Sequence, residues 1–314
     1  MLKKITMVLI LASLLGMSFS VPSYATIDPY IDQSRTKLSL EVLVNARKVS
    51  FPDVKPMQKQ GRVLVPLRFV SDRLGGKLSL AGKNITIVKG DRTVKLTIGA
   101  KSATANGKTI ALDVAANAVN GRTLVPLRFI SEALGERVEW DTLNQYVWIG
   151  SKDVPDILDV VESQDIKGYL KFYKGDLNDL LLKDDSRNSL TEVKVIGKQD
   201  FPLKIGNYIY YRIDRAFDNE GKEYVRLVST ESNGLGRPLY ILRENKDTRM
   251  RAENYNIRED HNGIRVQYNP VVDITDKIVY KETNYDKLRL KDIDFLGMYA
   301  LEKYPLLIKT DFLS

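Results

Sequence analysis

One fifteen-residue stretch occurs twice in this chain. Gly61-Arg-Val-Leu-Val-Pro-Leu-Arg-Phe-Val-Ser-Asp-Arg-Leu-Gly75 returns sixty residues later as Gly121-Arg-Thr-Leu-Val-Pro-Leu-Arg-Phe-Ile-Ser-Glu-Ala-Leu-Gly135, with eleven positions identical. A duplication this close commits both stretches to one local structure, so it constrains residues 38–150 more than any composition figure. The flanks correspond as well. Val44-Asn-Ala-Arg-Lys-Val49 aligns with Ala105-Asn-Gly-Lys-Thr-Ile110, with one extra residue in the first copy. Downstream, Lys77-Leu-Ser-Leu80 faces Arg137-Val-Glu-Trp140, and Ile85-Thr-Ile-Val88 faces Tyr146-Val-Trp-Ile149.

Each copy has a physical reading. Asn106-Gly107 is a type I′ hairpin signal between β-prone runs. Leu64-Val65 and Leu124-Val125 read as buried strand ends. Pro66 and Pro126 suit the first helical position, where a missing N–H costs nothing. Leu67, Val70 and Leu74 then fall on one helix face, as do Leu127, Ile130 and Leu134. Gly75 and Gly135 follow as helix-ending residues. The unit reads as β-β-α-β-β, with an added strand over Thr93–Ile98 between copies about 38–98 and 99–150.

These residues carry a specific resemblance. Gly121 to Gly135, followed by Val-Glu-Trp-Asp141 and Tyr-Val-Trp-Ile149, is similar to the copper amine oxidase N-terminal-like domain, also called the stalk domain. The resemblance covers about Leu38 to Gly150 and implies two tandem copies of an accessory, non-catalytic module, common in exported proteins of Gram-positive bacteria. The first copy departs after Gly76, where Leu80 stands in the place of Trp140. The residues of the repeat motif are Pro66, Arg68, Phe69, Gly75, Pro126, Arg128, Phe129 and Gly135. Two roles suit Arg68 and Arg128: a stem packed along the helix with its head on a carbonyl or carboxylate, or a cation facing a ligand. The family's oxidases hold copper through three His. The single His here, His261, cannot supply that site, so no oxidase activity and no cofactor are expected.

The rest of the chain supplies an address and a charge pattern. Met1–Ala25 reads as a secretory signal peptide, with Lys3 and Lys4, an apolar run over Ile5–Leu15 and a small-residue site at Ser23-Tyr24-Ala25. An uncleaved anchor is the other reading, but the stretch turns small and polar after Leu15 and contains Pro22. Residues 26–37 are a linker. No other long apolar segment follows, so no transmembrane segment is expected after signal removal. The chain is expected to be secreted or cell-wall associated. Residues 26–150 hold 19 Lys and Arg against 11 Asp and Glu, whereas residues 151–314 hold 27 against 29. The basic half would be attracted to anionic wall polymers in a salt-sensitive way, unless its lysines are simply spread over the surface. No base-stacking motif accompanies the charge, and no nucleic-acid partner is expected.

Residues 151–167 read as a junction with a short helix ending near Val161, and residues 168–314 as a mainly antiparallel, β-rich α+β domain resembling no family. Strands are expected at Glu192–Ile196, Tyr208–Ile213, Tyr224–Ser229, Leu239–Leu242, Ile264–Tyr268 and Lys277–Lys281, with helices over Asp176–Lys183 and Asp292–Lys303. Thirteen of sixteen Tyr lie at or beyond Tyr169. They read as strand and core residues before they read as a sugar-stacking face. Catalytic motifs fail in turn. With no Cys, disulfides, thiolate metal sites and Cys nucleophiles are excluded. Gly107-Lys-Thr109 lacks the first glycine of a phosphate loop, and Gly234-Leu-Gly236 lacks the third of a dinucleotide motif. Ser34-Arg-Thr-Lys37 has no companion Lys-Thr-Gly, and His261 reads as a solvated loop residue. The expected function is therefore a non-enzymatic exported cell-envelope protein. Its repeat module would act as spacer or wall contact and its C-terminal domain would bind a wall polymer or another envelope protein. The alternative is an exported wall-polymer hydrolase using two carboxylates in residues 168–314, where nothing singles out a pair.

Overall fold

The computed structural model describes residues 30–231, 237–298, 304–311 and 313. The signal segment, Gly234-Leu-Gly236 and the last part of the expected Asp292–Lys303 helix lie outside them. The chain is mostly β with few helices, consistent with an α+β class.

In the first copy, hairpins β1 (Glu41–Val44)–β2 (Arg47–Lys48) and β3 (Met57–Lys59)–β4 (Arg62–Pro66) precede helix α1 (Leu67–Arg73), and β5 (Lys77–Ala81) and β6 (Asn84–Lys89) follow it. After β7 (Arg92–Thr97) the second copy repeats the order: β8 (Ser102–Ala105), β9 (Lys108–Ala111), β10 (Asn117–Val119), β11 (Arg122–Pro126), α2 (Leu127–Ala133), β12 (Val138–Asp141) and β13 (Tyr146–Ile149). The expected β-β-α-β-β unit is short by a hairpin, because four strands precede each helix. The missed turns are Gln60-Gly61 and Asn120-Gly121, both with positive φ at both residues, the backbone a two-residue hairpin needs. Pro66 and Pro126 fall one residue before the expected first helical position: each ends its strand and stands as the N-cap, at φ −61° and ψ 111° for Pro66 and φ −57° and ψ 116° for Pro126.

The copies interleave. The leading hairpin of the first copy joins the trailing hairpin of the second in the sheet β12-β13-β1-β2, and the leading hairpin of the second joins the trailing hairpin of the first in β5-β6-β7-β8-β9. A third sheet, β10-β11-β4-β3, joins the middles. Its central register pairs Leu124 with Pro66, Val125 with Val65 and Pro126 with Leu64. That register maps onto itself when the copies are exchanged, so a local twofold axis passes between Val65 and Val125. Side chains obey the same exchange. Arg62 Nε donates to Asp113 at 2.6 Å, and Arg122 Nε donates to Asp53 at 2.7 Å. One core, including Val70, Leu74, Ile87, Val94, Ile130, Leu134 and Ile149, is shared by both copies. Each fully buried aliphatic side chain there contributes about 1.5–3 kcal/mol.

The C-terminal half begins with α3 (Ile157–Val160) and β14 (Ser163–Asp165), then α4 (Asn178–Leu182), β15 (Glu192–Ile196), β16 (Leu203–Ile205), β17 (Tyr208–Phe217), β18 (Glu223–Ser229), β19 (Leu239–Leu242), β20 (Arg249–Arg251), β21 (Glu259–His261), β22 (Ile264–Pro270), α5 (Ile274–Ile278), β23 (Phe295–Met298) and β24 (Leu306–Lys309). Two sheets, β14-β15-β24-β23-β19-β20 and β16-β17-β18-β22-β21, pack face to face. Two expectations fail here. Part of the expected Lys277–Lys281 strand lies in α5, which Asp273 caps by accepting from the Thr275 N–H at 2.8 Å, with Asp276 closing the capping box. Residues 295–298 of the expected late helix form β23 instead, held between β19 and β24; long-range pairing overrides local helical preference.

The outer face of the second sheet carries the repeat module. A bulge between Tyr210 and Arg212 shifts the side-chain alternation. Tyr210 stays in the inter-sheet core, while Tyr211 and Arg212 turn to the junction. Arg212 Nη1 donates to the Ser39 and Asn144 carbonyls at 2.9 and 2.6 Å, and the Tyr146 hydroxyl donates to the Tyr211 carbonyl at 2.8 Å.

Candidate ligand-binding groove

The repeated Pro-Leu-Arg at each helix start and the Gly-Arg of the opposite copy's hairpin meet across the local axis, and a hollow opens where they meet. In the larger hollow Pro126, Leu127 and Arg128 open α2, Val138, Trp140 and Val147 come from β12 and β13, and Gln58, Gly61, Arg62 and Val63 come from the β3–β4 hairpin. The cavity measures about 310 Å³. Its twin is lined by Pro66, Leu67, Arg68, Leu78, Leu80, Ile85, Gly121, Arg122 and Thr123, and measures about 90 Å³. Apart from Gln58, whose counterpart Ala118 does not line the twin, the twin carries the partners under exchange of copies. The register fixes this, because Trp140 pairs with Val147 as Leu80 pairs with Ile85. Trp140, where the twin has Leu80, is the bulkiest difference.

The larger hollow continues past Arg62, Pro126 and Arg128 into a second cavity of about 720 Å³ between α2 and the edge strand β9. Arg92, Lys108 and Ile110 line this part, with Asp113 and Glu132 as its acids. Both acids are engaged: Asp113 holds Arg62 at 2.6 Å, and Glu132 lies 3.9 Å from Arg128. Exposed pairs of this kind are worth little and exchange readily for a ligand anion. Arg128 is 67% exposed in its side chain, so its head stands in solvent at the rim. The groove is therefore lined by Arg62, Arg92, Lys108 and Arg128, and Arg62 and Arg128 also line the hollow that holds the Trp140 indole.

The motif residues divide by role. Pro66 and Pro126 are buried at the central strand pair, and Gly75 and Gly135 end the helices at φ +76° and +89°. Phe69 packs edge-on against Phe51 at 5.9 Å, with the Arg122 guanidinium 5.3 Å from its ring centre. Phe129 and Arg128 line the groove, and Arg68 lines the twin. Sequence reasoning missed Arg62 and Gln58. The signal was present in the repeated Gly-Arg doublet, which reads as turn chemistry until the opposite copy is seen to lie over it.

At the junction Glu41 sits among Lys48 at 2.6 Å, Lys198 at 2.9 Å and Arg212 at 3.9 Å. Burial would raise the Glu41 carboxyl, but the charges of Lys48, Arg212 and Lys198 outweigh it and hold the group at about 2. Burial pushes the Lys48 ammonium down to about 8 against the pull of Glu41. The Lys48 and Arg212 heads lie 5.5 and 5.4 Å from the Tyr146 ring centre, which spreads the excess positive charge.

The acid-rich C-terminal half uses its buried carboxylates against guanidinium groups. Asp276 meets Arg249 at 3.0 Å and Arg251 at 2.6 Å, and Glu231 meets Arg237 at 2.9 Å. A cavity of about 670 Å³ beside α5 is lined by Met250, Tyr255, Pro270, Val279 and Tyr280 among others. Met250, Tyr255, Ile274, Ile278 and Val279 are exposed around it.

The motifs set aside in the sequence stay apart. Ser34 Oγ donates to Asp32 at 2.6 Å, Gly107 lies in the β8–β9 turn, and His261 is exposed with Nε2 2.9 Å from Glu259. His261 lies at the end of β21 rather than in a loop. Among the described residues no three His, Cys, Asp or Glu side chains gather to hold a metal ion, and no helix is long and apolar enough to cross a membrane. The donor set thus does not fit the copper that the family's name suggests.

Residues 43–149 match the family model of the copper amine oxidase N-terminal domain, a stretch that runs across both copies. That domain is a non-catalytic stalk domain. No curated protein matches the chain.

Proposed function

We propose that this chain is a non-enzymatic, exported cell-envelope protein whose duplicated, stalk-like module holds an anionic wall polymer and sets its C-terminal domain at a distance from it. The observation that carries this reading is the groove between α2 and β9, which is lined by Arg62, Arg92, Lys108 and Arg128 within a region of net positive charge. Clustered cations beside low-dielectric walls attract polyanions with a strength that falls as salt rises. In this reading the C-terminal domain binds another envelope protein. The exposed apolar side chains around α5 support that role.

The full chain is the proper test material, because Lys48 and Tyr146 of the module are buried against the C-terminal half. Sedimentation with purified Gram-positive cell walls should retain the protein at about 20 mM salt, on the order of a 20 Å screening length, and release it near 0.5 M, where that length falls to about 4 Å. Replacing Arg92 and Lys108 by Gln should weaken retention at low salt. No retention at low salt would remove the wall-contact reading.

A further inference from the structure

We infer that the Trp140 hollow is a subsite for one acidic sugar unit of an anionic glycan, with the ring laid against the indole and its carboxylate on Arg128 and Arg62. The inference rests on the wall-contact reading and names what that groove takes first.

Trp140 is a large apolar side chain left 38% exposed on a strand. Around it Leu127, Val138 and Val147 make an apolar floor, and Arg62, Arg128 and Gln58 supply donors. No carboxylate lines this hollow among the described residues. An apolar wall with a few convergent polar groups is the usual make-up of a small-ligand site. The floor and the indole call for a ligand with an apolar face, since the negative face of the π-system meets slightly positive C–H groups well. The two guanidiniums call for an acceptor with two oxygens, which a carboxylate provides in matching geometry. A purely apolar occupant would make no use of either guanidinium beyond its exposed pair with Asp113 or Glu132, and a simple anion would leave the indole bare. A pyranose ring bearing a carboxylate uses both.

The local twofold axis provides an internal comparison. The twin hollow has the same Pro-Leu-Arg and Gly-Arg frame but carries Leu80 for Trp140, and its volume is about 90 Å³ against about 310 Å³. The frame is therefore the module's own architecture, and the indole with the added space is what sets the larger hollow apart. Extension of the groove to Arg92 and Lys108 places further cations where the next charged units of a chain would pass.

The test uses the full chain, isothermal calorimetry at low salt, and two probes that share their rings: a tetrasaccharide alternating N-acetylglucosamine with N-acetylmuramic acid, and chitotetraose, which lacks the lactyl carboxylates. The wild type should bind the acidic probe at least tenfold more tightly and change its tryptophan emission as it does. Trp140→Leu, a residue the twin position already accommodates, should lose at least fivefold for the acidic probe while keeping the thermal midpoint of the wild type. Arg128→Gln should narrow the preference between the probes. Equal affinity for both probes, or a Trp140→Leu affinity equal to wild type, would overturn the inference. Wall sedimentation separates the two claims. If the wild type sediments at low salt while Trp140→Leu titrates like wild type, only the sugar subsite falls. If the wild type fails to sediment, the broader reading falls.

Discussion

Replacing Glu41 by Gln removes the carboxylate that sits among three cations where the repeat module meets the C-terminal half. The Lys48 side chain is only 4% exposed and Glu41 14%, so water cannot take over the lost role. Its cationic neighbours hold Glu41 at about 2 in the folded protein against 4.5 for an ordinary glutamate; that lowering corresponds to about 3 kcal/mol of stability at neutral pH. The figure agrees with the roughly 3–5 kcal/mol that breaking a buried pair from one side costs. The sign follows from the lowered carboxyl: its contribution is complete above about 4.5 and fades as pH falls through about 2. Lys48 acts the other way. Its folded value of about 8 lies below the ordinary 10.5, so its cost is complete below pH 8 and eases as pH rises toward 10.5. Urea unfolding followed by circular dichroism should therefore show Glu41→Gln about 3 kcal/mol less stable at pH 7. The gap should roughly halve by pH 3. A pH 7 difference under about 0.5 kcal/mol, or one constant from pH 3 to 7, would refute this account of the junction.

Three further substitutions probe the groove and the C-terminal half. Gly75→Ala and Gly135→Ala both place a side chain at positive φ and should each cost about 1–2 kcal/mol by thermal unfolding. A Cβ at 135 meets the Arg92 guanidinium at 2.7 Å, whereas one at 75 meets nothing within 4 Å. Only Gly135→Ala should displace Arg92, so only it should weaken wall retention at low salt; equal retention in the two would count against Arg92 as a contact. Asp276→Asn leaves Arg249 and Arg251 facing a neutral amide in a site with no exposure. It should lower stability by about 3–5 kcal/mol, and a wild-type midpoint in thermal unfolding would contradict the pairing.

Legibility in the sequence followed the range of the forces involved. Helices α1 and α2 are readable because their start, apolar face and end all sit within ten residues, from Pro66 to Gly75 and from Pro126 to Gly135. Strands such as Glu192–Ile196 and Leu239–Leu242 were readable from β-branched and apolar runs. Interleaving was not, because the pairing of Val65 with Val125 is settled sixty residues away and leaves no local mark. The same holds for β23, whose helix-like sequence is decided by its two neighbours. The α5 signal is local: Asp273-Ile-Thr-Asp276 is a capping box, and it outweighs the β-prone run over Lys277–Lys281. At the groove the repeat marks Arg128, whereas Trp140 shows in the sequence only as a mismatch with Leu80. Their meeting with Arg62 depends on tertiary structure alone.

The exchange of hairpins between copies has a consequence for cleavage. A protease cut near Gly99, between β7 and β8, would sever the covalent chain yet leave both pieces clasped, since each completes a sheet begun by the other. A fragment ending there would show bare sheet edges along β1 and β4, which seek any matching strand. The nearest match is a sibling fragment. A gene carrying one copy would thus be expected to yield a homodimer of this shape, with the axis between Val65 and Val125 turned from a local symmetry into one between molecules.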